Sequence, residues 1–205
     1  MFRFFFPVGR VIAENRSWLF MATAIFLSCS IAFYFTPVFS DPASEPVLDA
    51  QLEGLEGLFS LIMDTSPPIG IALIFMNNFL SMAQMLLLGF LAGVSPLVTL
   101  GLNGALVGAL LSFSTQEGVP LLAMIAFGLL PHGIFELFAF FLCAAIGLKF
   151  GYHCVASPLP GKTRGQSFRF IWKEAISILP LVVLLLVIAA AVEILITPRL
   201  LDLVL

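Results

Sequence analysis

The sequence predicts an all-α integral membrane protein, a polytopic bundle of about five transmembrane helices. Hydrophobic residues make up 60% of the 205-residue chain and charged residues only 10%, with a mean hydropathy of +1.12. A soluble domain has about a quarter charged residues, so this composition indicates a chain that lies largely in a bilayer. The apolar residues fall into long runs, and the few charges are separated by sign along the chain, as in proteins that cross a membrane repeatedly.

Five apolar runs reach the length of a crossing helix, which needs about 20 residues to span about 30 Å of hydrocarbon. They cover residues 18–39, 69–93, 95–114, 120–150 and 175–196. Together they predict one transmembrane domain over residues 1–205.

The segment after the first run predicts a short amphipathic helix in the first outer loop. Its apolar residues fall on one helical face: Leu48, Leu52, Leu55, Phe59 and Ile62. Such a helix lies on the membrane interface or packs on its own bundle, and the sequence leaves both open.

The second and fourth runs each contain a polar interruption, where we predict broken helices. Asn77 and Asn78 interrupt the second run. The fourth has about 31 residues and would extend about 46 Å as one straight helix. Pro131, followed by Gly133, marks its predicted break, because proline removes a backbone hydrogen bond. Broken helices line the central sites of many transporters.

Small residues recur four apart, which predicts close helix packing. The pairs are Gly89 with Gly93 and Gly104 with Gly108. Packing within one chain explains them better than a homo-oligomer, which stays an alternative.

The charges predict one orientation in a cell membrane. Three arginines precede the first run, six acidic residues and no basic ones lie within residues 41–64, and five basic residues lie within 149–173. Because Lys and Arg concentrate in cytoplasmic segments, we expect the N-terminus and the 151–173 loop to be cytoplasmic. Five crossings then place the C-terminus outside.

A set of polar residues inside the runs is the candidate site: Asn77, Asn78, Asn103, His132 and Glu136. His132 and Glu136 are four residues apart, so their side chains share one helix face. A charge at the membrane centre costs at least about 2.5–3.5 kcal/mol, so these groups must pair or face a cavity. They form either a polar network that fixes helix register or a site for an ion, proton or polar ligand. Glu193 lies about one turn from the end of the fifth run, where it can reach the surface, and is left out.

Catalysis has little support in the sequence. A zinc hydrolase would need a second histidine at HExxH-like spacing, and the other histidine, His153, lies beyond the fourth run. The serines in the runs lack a Gly-x-Ser-x-Gly setting. We therefore predict no catalytic residue, metal or cofactor, and no binding of nucleic acid.

Three segments together resemble a known family. They are "NN" at 77–78, "GFLAGVSPLVTLGLNGALVG" at 89–108 and "LPHGIFELFAFFLCAAIGL" at 130–148. This ordered set resembles the stage II sporulation protein M family of bacterial and archaeal membrane proteins. The family motif falls on Asn77, Asn78, Asn103, Gly104, Pro131, His132, Gly133 and Glu136. Family members have about five crossings, and the family extends to organisms that make no spores.

The resemblance implies a non-enzymatic membrane scaffold that recruits peptidoglycan-remodelling partners, such as membrane-associated cell-wall hydrolases. The alternative is a transporter or channel for an ion or small polar solute that uses the Asn77, Asn78, Asn103, His132 and Glu136 cluster. A membrane hydrolase ranks third. For each of these three functions, the lipid bilayer is the first expected partner.

Overall fold

The computed structural model describes residues 7–36, 57 and 65–202, which form seven helices and no strand. We number the helices α1 to α7 in chain order. They are α1 Val8–Glu14, α2 Arg16–Phe35, α3 Pro67–Leu88, α4 Val94–Gln116, α5 Leu121–Val155, α6 Arg164–Leu195 and α7 Thr197–Leu201. Within this part of the chain, five helices, α2 to α6, are long and apolar enough to cross a membrane. The predicted all-α bundle of five crossings is confirmed. The predicted amphipathic helix at residues 48–62 lies outside the described residues, Gly57 excepted.

No helix break occurs at Asn77 and Asn78, so that prediction was wrong. α3 runs without interruption from Pro67 to Leu88. Asparagine keeps its backbone N–H and interrupts a helix only where its side chain competes for backbone groups. Here the Asn77 amide donates to the side-chain oxygen of Asn78 at 3.3 Å, and the helical ladder is left intact.

The helix also continues through Pro131, where a break was predicted. Instead, the turn before the proline, Met124–Leu129, is a π-helix inside α5. A π-helix pairs each carbonyl with the N–H five residues on. The carbonyl of Phe127, whose α-helical partner would be the missing N–H of Pro131, can therefore accept from the N–H of His132. Gly133 marks no break either, since it lies inside the continuous α-helical stretch Leu130–Val155.

The basic region between the last two crossings is mostly helical. α5 continues to Val155 and α6 begins at Arg164, so residues 156–163 form the connection rather than the predicted 151–173. A capping box starts α6 early: the Gln166 N–H donates to the Thr163 hydroxyl at 3.3 Å, and the Thr163 N–H donates to the Gln166 side chain at 2.9 Å.

α5 is the central helix, and it contacts α2, α3, α4 and α6. Its second half is buried at almost every position from Ala139 to Gly151. Glycines set its distance from α3, because a Cβ added to Gly89 would lie 2.7 Å from the Cα of Gly147. Glycine allows two helix backbones to approach this closely, so these contacts are made within one chain.

The interface between α2 and α4 is built the same way. A Cβ on Gly104 would lie 2.5 Å from the carbonyl oxygen of Phe26, and one on Gly108 would overlap the backbone of Ser30. Gly93 approaches the backbone of Gly151, and its φ of +71° is one that glycine adopts readily.

Candidate functional site: a polar cavity between the helices

A cavity of about 290 Å³ lies between α2, α3, α4, α5 and α6, and all five residues of the predicted cluster line it. Asn77 and Asn78 project from the middle of α3, Asn103 from the middle of α4, and His132 and Glu136 from α5. The remaining wall is mostly aliphatic and aromatic. The fold therefore gathers into one space a set of polar groups that are up to about 60 residues apart in sequence.

The asparagines line the cavity without forming a closed network. Asn103 donates its amide to the carbonyl of Thr99 on its own helix at 2.8 Å, which leaves its side-chain oxygen available. Among the described residues, no hydrogen bond joins an asparagine to His132 or Glu136. A network that merely fixed helix register would satisfy its polar groups internally.

Glu193 belongs to the same site, although the sequence analysis had set it aside. It comes from α6 and lines the cavity. A carboxylate oxygen of Glu193, a carboxylate oxygen of Glu136 and a ring nitrogen of His132 all lie within 4.8 Å of one another. Its position near the end of the fifth run suggested that Glu193 reaches the membrane surface. In the structure, the part of α5 that carries His132 and Glu136 lies beside this end of α6, so Glu193 meets them instead. One signal was available: Glu193 is the only charged residue within the fifth run.

The two carboxylates have no compensating Lys or Arg in the part of the chain that the structure describes. Across residues 7–36 and 65–202, no Lys or Arg lines the cavity, and neither Glu136 nor Glu193 has an ion-pair or hydrogen-bond partner. Two like charges at this separation repel strongly in a low dielectric. The pair therefore requires a positive species from solution, either a proton or a metal cation.

A second cavity adjoins this group. It has a volume of about 360 Å³, shares His132 and Glu193 with the first, and is also lined by Thr197 and Leu201 of α7. His132 and Glu193 thus line both cavities, and the second cavity extends to α7.

A different polar cluster lies at the opposite end of the bundle. Lys149 places its Nζ 2.7 and 2.9 Å from the carboxylate oxygens of Glu174, and both residues are buried, with exposures of 5% and 0%. Asn15 donates to Glu174 at 3.0 Å and to the carbonyl of Val11 at 2.8 Å. This cluster is electrically paired and links α1, α5 and α6, so it is a structural link. The sequence analysis used Lys149 only for topology and missed Glu174, the one acidic residue between Glu136 and Glu193.

His153, the other histidine, lies far from the cavity. Its Nδ1 donates to the carbonyl of Ser157 at 2.7 Å, and its ring packs edge-on against Trp18. These contacts hold it at the end of α5 that carries Lys149, so it cannot join His132 in a metal centre.

Five crossing helices around a polar cavity define a polytopic integral membrane protein. The sequence profile of the stage II sporulation protein M family matches residues 17–198. The chain belongs to this family, which confirms the resemblance, and the match includes every residue of the cavity.

One relative comes from the archaeon Methanocaldococcus jannaschii, an uncharacterized protein. It is 32% identical over 125 residues, which cover 60% of this chain and 69% of the relative. No solved structure matches the chain.

Proposed function

We propose that this protein binds a cation or a small polar solute in the cavity between its helices, as a transporter or channel does. The observation that carries the proposal is the pair of carboxylates, Glu136 and Glu193, beside His132 in a cavity that no Lys or Arg of the described residues lines. Ionisable groups inside a membrane are costly and usually mark pathways for ions or substrates. The alternative from the sequence thus becomes the first choice.

The volume and lining of the cavity support the same function. A cavity of about 290 Å³ holds several water molecules, each of which occupies about 30 Å³ in the liquid. Asn77, Asn78 and Asn103 add amide groups that can replace part of a solute's hydration shell. The second cavity provides an approach from the end of the bundle that carries α7.

Family membership supports a second candidate, the non-enzymatic scaffold that recruits peptidoglycan-remodelling partners. That role needs no solute, and under it the cavity residues would only shape the bundle. Catalysis is not part of either proposal.

We expect the Glu136→Gln variant to separate the two roles, because it keeps the size of the side chain but removes its charge. The parent protein, reconstituted in liposomes, should carry at least one of H⁺, Na⁺, K⁺, Mn²⁺ or Zn²⁺ faster than protein-free liposomes. Glu136→Gln should reduce that flux to background while its thermal unfolding midpoint stays near the parent value. Ion-selective indicators inside the liposomes report the flux.

Absence of flux from the folded parent, or a flux that Glu136→Gln leaves unchanged, would contradict transport. The scaffold role makes a different prediction for the Glu136→Leu variant. Under that role, loss of the carboxylate would lower only the stability of the protein. The amount of partner recruited would then be proportional to the fraction of the variant that is folded.

We also propose the orientation that the charges indicate, with the connection at residues 156–163 in the cytoplasm and the turn after α4 outside. Both Ser157 and Glu117 are exposed, so single cysteines there, in a cysteine-free background, report each side. A membrane-impermeant thiol reagent should label Glu117→Cys in intact cells and Ser157→Cys only after permeabilisation. Labelling of both from outside would contradict the orientation.

A further inference from the structure

We propose that His132, Glu136 and Glu193 bind one divalent metal ion of borderline hardness, such as Zn²⁺ or Mn²⁺. This inference rests on the proposed function, since it names the species that the cavity takes. One imidazole nitrogen and two carboxylate oxygens form a ligand set that suits first-row divalent metals better than Na⁺ or K⁺.

The geometry is close to that of a bound metal. Zinc lies about 2.0–2.2 Å from nitrogen and carboxylate ligands in a tetrahedral arrangement, so two ligand atoms of one ion are separated by about 3.4 Å. The ligand atoms of the three residues lie within 4.8 Å of one another. A movement of up to about 0.7 Å by each ligand atom, which small side-chain rotations can supply, would close the site.

The ligands come from two helices. His132 and Glu136 occupy positions i and i+4 of α5, which places both side chains on the same helix face. Glu193 approaches from the last turns of α6. A bound ion would therefore fasten the first half of α5 to the end of α6, next to the π-helical turn at Met124–Leu129. π-Turns are frequent at functional sites.

The charges balance when the ion is divalent. Two ionised carboxylates and a neutral imidazole carry a charge of −2, and one M²⁺ ion brings the group to zero. A neutral assembly avoids most of the cost of placing net charge in the hydrocarbon region. A single Na⁺ or K⁺ ion would leave one negative charge uncompensated.

Thr197 prepares the histidine as a ligand. Its hydroxyl donates to the carbonyl of Val192 at 3.3 Å and lies 3.3 Å from Nδ1 of His132. A hydroxyl has one proton to donate, so when it donates to Val192 it accepts a hydrogen bond from the Nδ1–H. In that tautomer the lone pair of the imidazole is on Nε2, which is the atom we assign to the metal. An orienting partner of this kind is usual for metal-binding histidines.

The first cavity supplies the remaining coordination positions. Asn77, Asn78 and Asn103 line it, and water molecules that enter from the second cavity can occupy positions between these residues and the ion. Thr197 and Leu201 border the second cavity, so an ion would reach the site from the end of the bundle that carries α7.

The test measures binding at equilibrium, apart from transport. The full-length protein, purified in detergent after chelator treatment, is titrated with Mn²⁺ by electron paramagnetic resonance of the free ion, and with Zn²⁺ by calorimetry. We expect saturable binding of one ion per chain, and an increase in the thermal unfolding midpoint with metal concentration.

Variants assign the ligands. Loss of a partner that only orients a metal ligand lowers affinity about 10–100-fold, so Glu193→Gln, which removes a ligand, should lower it by more than about 100-fold. Thr197→Val, which removes only the orienting partner of His132, should lower affinity by about 10–100-fold. Asp202→Asn is the matched control, because it removes an exposed carboxylate at the same end of the bundle and should leave affinity unchanged.

Two results would overturn the metal site. One is folded protein that binds neither Mn²⁺ nor Zn²⁺ saturably, and the other is binding that survives in Glu193→Gln. If such a protein still carries protons or monovalent ions in liposomes, the proposed function stands and the metal assignment fails. Binding of one ion without any flux supports the metal site and contradicts transport.

Discussion

Replacement of Lys149 by methionine should destabilise the protein by about 3–5 kcal/mol, the cost of leaving a buried charge without its partner. Lys149 makes two contacts, of 2.7 and 2.9 Å, with a carboxylate that has no exposed surface. In the variant, Glu174 would retain only the hydrogen bond from Asn15 at 3.0 Å. Equilibrium unfolding in mixed micelles measures the change.

The double variant Lys149→Met, Glu174→Leu tests whether the charge is the cause. Because it removes both charges, it should recover most of the lost stability, as apolar replacement of a whole buried pair is often neutral. Glu14→Gln is a matched control, since Glu14 pairs with Arg10 on the surface at 2.6 Å, and exposed i, i+4 pairs contribute only about 0.3–0.5 kcal/mol. A double variant as unstable as Lys149→Met would show that side-chain packing, rather than charge, was lost.

Gly108→Ala should destabilise the interface between α2 and α4 by about 1–3 kcal/mol, the usual cost of forcing extra volume into a packed site. The added Cβ would overlap the carbonyl group and Cα of Ser30. These are backbone atoms, so the two helices would have to separate along their shared length. Thermal or denaturant unfolding of the purified protein measures the loss.

Gly101→Ala is the control on the same helix. A Cβ there would meet only the Sγ of Cys29 at 4.0 Å, and replacement of a helical glycine by alanine is otherwise favourable by about 0.5–1 kcal/mol. It should therefore be neutral or stabilising. Equal destabilisation by both substitutions would show that the contact with Ser30 does not limit the approach of the helices.

Much of the fold could be predicted from the sequence because membrane insertion depends on local composition. A run of about 20 apolar residues specifies a crossing whatever its neighbours are, and all five predicted crossings are present. The same reasoning found five of the cavity residues, because Asn77 or Glu136 within an apolar run must be compensated somewhere. Each such polar residue can be recognised from its own apolar run, without knowledge of its neighbours in space.

Continuity of the helices was not decided by composition. Asparagine at 77–78 and proline at 131 predicted breaks, yet α3 is continuous and α5 absorbs its proline in a π-helical turn. A helix backbone can accommodate such residues when packing against neighbouring helices supports it, and that packing is not visible in a local pattern.

By itself, the sequence determined the number of crossings, the membrane setting and most members of the polar cluster. The tertiary structure alone decided which ionisable groups meet. Among the described residues, it brought Glu193 to His132 and Glu136 without a Lys or Arg partner, and it paired Lys149 with Glu174 at the other end. The physical reason is that electrostatic energy depends on distances of a few ångströms between side chains, and residues far apart in sequence acquire those distances only when the helices pack.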